Sequence, residues 1–159
     1  MTSPHGVDAL DARLLLALDD DPEATVLALA ERLGVARNTV HSRLRRLTAS
    51  GTLKNYSRRL DPAALGYPLV AFVSIAISQT DGHLATMGLQ RHPEVVEIHA
   101  ITGDADLLVK VVARNTEDLH RITNAMLTVN GVVRTNTAIS LGEAMPLRMR
   151  ALLEAVARR

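Results

Sequence analysis

The stretch Thr25–Leu60, TVLALAERLGVARNTVHSRLRRLTASGTLKNYSRRL, decides how the first part of the chain folds. Val26, Leu27, Leu29, Ala30 and Leu33 recur at the spacing of a single apolar helix stripe. Gly34 ends that helix, because glycine closes a helix end in the left-handed conformation without steric cost. Val40, Leu44 and Leu47 then resume the spacing and predict a second helix from about Ala36 to about Ser50, stopped by Gly51. Its other faces carry Arg37, Asn38, Thr39, His41, Ser42, Arg43, Arg45 and Arg46. Two short helices around a tight glycine-containing turn form the helix-turn-helix pattern.

In that pattern the N-terminal part of the second helix touches base edges in the major groove. From Arg32 to Leu60 the basic residues are Arg32, Arg37, Arg43, Arg45, Arg46, Lys54, Arg58 and Arg59, and no acidic residue interrupts them. The whole chain has a formal net charge of only +1, with 18 basic and 17 acidic side chains. Positive charge is therefore gathered on the segment of the reading helix, as a phosphate-backbone binder requires. The plainer alternative is a solvated basic face on an ordinary helical domain. Arg37, Asn38, His41 and Ser42 are the base-edge candidates, with Thr39 beside them. Arg45, Arg46, Lys54, Arg58 and Arg59 are placed for phosphates or solvent. Arg43 is either a DNA contact or an internal tie to the first helix.

At 159 residues the chain holds one domain or two small ones. Hydrophobic residues at 47% and charged residues at 22% are globular proportions, which argues against disorder. Aromatic residues make up 2%, so stacking of single-stranded bases is not the binding mode. The absence of cysteine excludes disulfides, thiolate metal sites and a cysteine nucleophile. The histidines show no short metal-ligand spacing, so no metal is expected. The N-terminus lacks the basic and uninterrupted apolar regions of a signal peptide, and no run approaches the ~20 apolar residues of a membrane span. A soluble cytoplasmic protein without a membrane partner is expected.

Ahead of the decisive stretch, residues 1–6 read as a loose leader. Val7, Leu10, Leu14 and Leu18 predict an amphipathic helix from about Asp8 to about Leu18. Asp8 and Asp11 favour its positive end and pair with reading-helix arginines only as surface charges. Asp19–Pro22 ends it. Thr52–Tyr56 alternates as a short strand, a wing or a tether. Leu60–Pro68, with two prolines and a glycine, marks the domain boundary.

Beyond it, Leu69–Ser78, Val95–Ile101, Leu107–Ala113 and Val132–Leu141 read as strands. Gly82–Arg91 reads as a helix that Gly88 weakens. A second helix, capped by Asn115 or Thr116, runs through Leu119, Ile122, Met126 and Leu127. The short Thr102–Asp106 link between the two middle strands reads as a hairpin connection. The order strand, helix, strand, strand, helix, strand is the ferredoxin-like βαββαβ plan. A last helix opens at Pro146. The sequence thus predicts an α+β chain: residues 1–60 a winged helix-turn-helix domain with linker strand, 61–145 a ferredoxin-like domain, and 146–159 a C-terminal helical extension.

The runs LDARLLLALDDD, LAERLGVARNTVHSRLRRL, ASGTLKNYSRRLDPAALGY, ITGDADLLVKV and VNGVVRTNTAISL, in this order, resemble the Lrp/AsnC, or feast/famine, transcriptional regulators. They span Leu10 to Leu141. The resemblance implies a sequence-specific regulator of double-stranded DNA with no resident cofactor, whose second domain senses a small ligand, usually an amino acid. It also implies homodimers formed through the sheets, assembling further into tetramers or octamers. The effector is expected between dimers at Gly103, Asp104 and Asp106, with Thr135, Asn136 and Thr137 of the last strand. Glycine lets a carboxylate approach backbone N–H groups, while carboxylates and hydroxyls hold an α-ammonium and fix orientation. Without the resemblance, Gly103, Asp104 and Asp106 read as turn formers and the threonines as strand formers. The family commonly has serine where this chain has Ala36, so the usual cap is missing at a cost of about 1 kcal/mol; a later start capped by Asn38 is the alternative. A sirohaem decarboxylase-like enzyme of similar two-part fold is the competing reading. It is disfavoured because the arginines gather on the reading helix.

Overall fold

The computed structural model describes residues 6–159, so the leader reading lies almost wholly outside the described part. The chain forms two units. One contains the residues up to Arg58 together with Met145–Arg159, and the other is Arg59–Ala144.

In the first unit, α1 (Ala9–Asp20), α2 (Val26–Leu33) and α3 (Arg37–Ala49) enclose Leu14, Ala17, Leu29, Ala30 and Val40. Asp8 caps α1 in a reciprocal box with Asp11, and Thr25 caps α2 by accepting from the Ala28 N–H. The turn through Gly34 then leads into α3, whose N-cap is Ala36 with no side-chain bond. Asn38 lies inside the helix and caps nothing, because the Thr39 and Val40 N–H groups are already bonded to the Ala36 carbonyl. Leu27 belongs to the predicted stripe but is 44% exposed, since Leu29, Ala30 and Leu33 face the small core without it.

Thr52–Tyr56 is not a strand. The Leu53 N–H bonds back to the Leu47 carbonyl, closing the end of α3, and Tyr56–Arg59 winds into a 3-10 turn. A strand needs a neighbour for its backbone groups, and the segment has none among the described residues. The last helix, α6 (Arg150–Ala157), starts later than Pro146 and packs against α1. Leu147, read as part of that helix, is 86% exposed.

In the second unit, β1 (Leu69–Ile77), α4 (Gly82–Leu89), β2 (Val95–Ala100), β3 (Leu107–Ala113), α5 (Thr116–Leu127) and β4 (Val132–Ile139) follow in chain order. The strands form an antiparallel sheet ordered β2-β3-β1-β4. Alternation sends Ala71, Val73, Ile75, Val109 and Val111 to one face, where Leu89 of α4 and Leu119, Ile122 and Met126 of α5 cover them. The helices lie on that side only, leaving Phe72, Lys110 and Ala138 in register on the open face. Gly88 belongs inside α4 for a packing reason: a Cβ there would lie 2.4 Å from Val129 Cγ1.

The start of α5 is tied to its surroundings by charge. Asp118, 7% exposed, accepts from the Arg114 backbone N–H and side chain and from Arg121, which also reaches Glu94 at 2.7 Å. The Arg114 guanidinium, its backbone N–H and then Arg121 hold the Asp118 carboxyl well below the usual carboxylate range. Burial pushes Glu94 up, but the Arg121 guanidinium and a backbone N–H outweigh it and keep that carboxyl low.

Candidate nucleic-acid interface and ligand loop

Helix α3 sorts its polar residues by face. Arg37, Asn38, His41, Ser42 and Arg45 are exposed along one side, and Thr39 is half-buried. Val40 and Leu47 fill the core on the other side. The Ser42 hydroxyl donates to the Thr39 carbonyl at 3.0 Å. Lys54 is exposed beyond the end of α3. The outward row is thus three cations with amide, imidazole and hydroxyl groups, which is the chemistry that phosphates and base edges select.

Arg43 and Arg46 differ from this row. Arg43 Nη1 donates to Asp8 Oδ2 at 2.6 Å and to Asp11 Oδ1 at 2.8 Å, and Arg46 Nη2 donates to Asp11 Oδ2. The Asp11 side chain is fully buried, so this is no loose surface pair of the kind the sequence led us to expect. A carboxylate out of water needs such partners to offset the loss of its hydration. Asp11 was legible in principle: it sits four residues after Val7 and three before Leu14, inside the apolar stripe. The Arg43 hydrogen bond, opposed by partial burial, holds the Asp8 carboxyl below its ordinary value.

In the second unit, the loop between β2 and β3 folds against β1 and β4. The Asp106 N–H donates to the Ile75 carbonyl, and Asp106 Oδ2 accepts from the Ile77 N–H at 2.9 Å. Arg134 of β4 donates to the Asp104 carbonyl at 3.3 Å. Gly103 has φ 118°, a backbone conformation that side chains with a Cβ rarely adopt. Asp104 and Asp106 therefore do different work. The Asp106 carboxylate is committed to backbone, whereas the Asp104 carboxylate has no hydrogen-bond partner among the described residues.

On β4, Thr135 is opposite Ile75 and Thr137 opposite Val73, so both lie on the helix-covered side. Asn136, opposite Ser74, lies on the open side. The six residues are thus not one cluster on one surface. Arg134 was missed by the sequence reading, although a lone guanidinium in the run VVRTNTAI was a visible signal. No group of three or more metal-ligating side chains occurs among the described residues, and no helix there is long and apolar enough to cross a membrane.

Comparison with known proteins bears on both units. Residues 7–54 match the family model described as winged helix-turn-helix DNA-binding, and residues 70–149 match that of the Lrp/AsnC ligand binding domain. The HTH-type transcriptional regulator FL11 of Pyrococcus horikoshii is 32% identical over 135 residues, covering 85% of this chain and 89% of that protein. The HTH-type transcriptional regulator AldR of Mycolicibacterium smegmatis is 34% identical over 137 residues, covering 84% and 80%. Among solved structures, E. coli AsnC aligns with a TM-score of 0.81 at 27% identity, covering 92% of this chain and 99% of that one. A feast or famine regulatory protein of M. tuberculosis, complexed with L-methionine, aligns with a TM-score of 0.78 at 30% identity, covering 90% and 97%. The chain belongs to the Lrp/AsnC family of DNA-binding transcriptional regulators.

Proposed function

We propose that this chain is a sequence-specific regulator whose DNA binding or assembly responds to a free amino acid. The observation that carries the ligand half is the Gly103–Asp106 loop: its backbone is pinned to β1 and β4 while the Asp104 carboxylate is unengaged among the described residues. A rigid loop with one free carboxylate suits an α-ammonium, and the glycine leaves room for a carboxylate. The methionine-bound relative supports the same ligand class. Thr135 and Thr137 supply hydroxyls from one face of β4, and Asn136 supplies its amide from the other, the face of Arg134, which reaches the loop.

Arg37, Asn38, Thr39, His41 and Ser42 read bases, and Arg45 and Lys54 hold phosphates. The open sheet face around Phe72 makes the homodimer, and dimers associate to a tetramer or octamer around the ligand loops. The relatives are named as regulators, which favours this over an enzyme.

The test is a thermal-shift scan of the twenty amino acids, since a ligand that binds only the folded state raises Tm. One or a few hits that also change the affinity for a selected DNA duplex support the reading. Twenty null results, with DNA binding unaffected by any of them, overturn the amino-acid assignment.

A further inference from the structure

We infer that Asp11 is a positioning residue for DNA reading: it withdraws Arg43 from the phosphate-binding set and uses it, with Arg46, to fix the rotation of α3. The inference rests on the DNA-reading role of α3. Three observations on α1 and α3 support it.

Both oxygens of Asp11 are in use. Oδ1 accepts from Arg43, and Oδ2 accepts from Arg46 and from the Asp8 N–H at 3.1 Å. The carboxylate is fully buried, and among the described residues its two side-chain partners both come from α3, three residues apart and therefore on one helix face. Attaching that face to α1 sets which residues point away from it, and those are Arg37, Asn38, His41 and Arg45.

Competition with DNA favours the internal pairing for Arg43. A phosphate would have to draw its guanidinium, only 24% exposed, from a buried carboxylate whose Oδ1 would then lose its donor. Asp8 binds the same Nη1 at 2.6 Å and strengthens the hold. The two N–H bonds of that one nitrogen meet both carboxylates at once, at the end of a rigid planar group that a lysine, shorter and flexible to its tip, does not reproduce.

The test uses the full chain, a duplex selected from random DNA by the wild-type protein, and a random-sequence duplex of equal length. Affinity for each is measured across a salt series, and circular dichroism checks the fold of every variant. Each phosphate contact adds roughly 0.9 to the slope of log affinity against log salt. Arg45→Ala is expected to lower the slope by about that amount. Arg43→Ala leaves the slope at the wild-type value, yet cuts the selected-to-random affinity ratio about tenfold or more. Asp11→Asn cuts the same ratio without a shallower slope. Should Asp11→Asn fail to fold, Arg43→Lys replaces it: the charge is kept, and a tenfold fall in the ratio at unchanged slope supports the inference. A slope lowered equally by Arg43→Ala and Arg45→Ala overturns it, as does a wild-type ratio in Asp11→Asn or Arg43→Lys. A wild-type chain that prefers no sequence removes the DNA-reading premise itself, and the inference with it.

Discussion

Arg150 on α6 donates to the Asp20 carboxylate at the end of α1 across 2.8 Å, although the two residues lie 130 positions apart in the chain. Arg32 of α2 meets the other oxygen of the same carboxylate at 2.5 Å. The Arg150 guanidinium, then Arg32, hold Asp20 below the usual carboxylate range. Helix α1 is thus bound by arginines at both ends: α3 holds its first turn, while α2 and α6 hold its last. The helix that ends the chain is a structural part of the unit that begins it.

The energy of that docking should lie in apolar contact rather than charge, because exposed ion pairs contribute little. Leu153→Ala, at a half-buried position of α6, is expected to cost roughly 1–2 kcal/mol, below the 2–5 of a fully buried leucine. Arg150→Ala should change stability far less. Urea unfolding followed by helix circular dichroism checks the order, and a larger effect of Arg150→Ala would refute it.

Asp118 gives the second unit an acid-sensitive brace. Its folded pKa is depressed, so its stabilisation is complete above the unfolded value of about 3.9 and is lost as pH falls through the lower folded value. Stability should therefore be insensitive to this group from pH 7 to about 5 and decline below about 4. Asp118→Asn should be less stable than wild type at pH 7, with the difference shrinking towards pH 3. Melting temperatures across that range test the sign; a gap that widens in acid contradicts it.

Asp104 and Asp106 should respond differently to removal. Asp104→Ala is expected to abolish the calorimetric heat with whichever amino acid raises Tm, while leaving the ligand-free Tm within a degree or so. Asp106→Ala should lower the ligand-free Tm itself, because the Ile77 N–H loses its acceptor in an exposed hydrogen bond, a change worth roughly 0.5–1.5 kcal/mol. Equal effects of the two substitutions would argue against this division.

Gly88→Ala pits helix propensity against packing. Alanine gains up to about 1 kcal/mol over glycine inside a helix, but its methyl would sit 2.4 Å from Val129 Cγ1. Overpacking of that kind costs roughly 1–3 kcal/mol, so the substitution should destabilise. Adding Val129→Ala should recover part of the loss, and a double-mutant cycle by thermal unfolding reads the coupling.

Local patterns were sufficient to read most of the helices and strands of this protein. Apolar spacing located α1, α2, α3 and α5, β-branched alternation located the four strands, and their order specified the sheet plan. These signals are legible because helix and strand periodicities are properties of consecutive residues. The same reading put the cations on α3 and a glycine–aspartate hairpin between β2 and β3. It misread Thr52–Tyr56, because alternation describes a strand's faces but not whether a neighbour exists to pair with it. What only the tertiary structure decided is how side chains far apart in sequence are spent: Arg43 and Arg46 on Asp11, Arg150 on Asp20, Asp106 on the backbone of β1, and Arg134 on the loop. A guanidinium beside solvent and one beside a buried carboxylate have the same letter in the sequence. Burial and the partner within reach decide between phosphate and carboxylate, and both arise only once the helices and strands have packed.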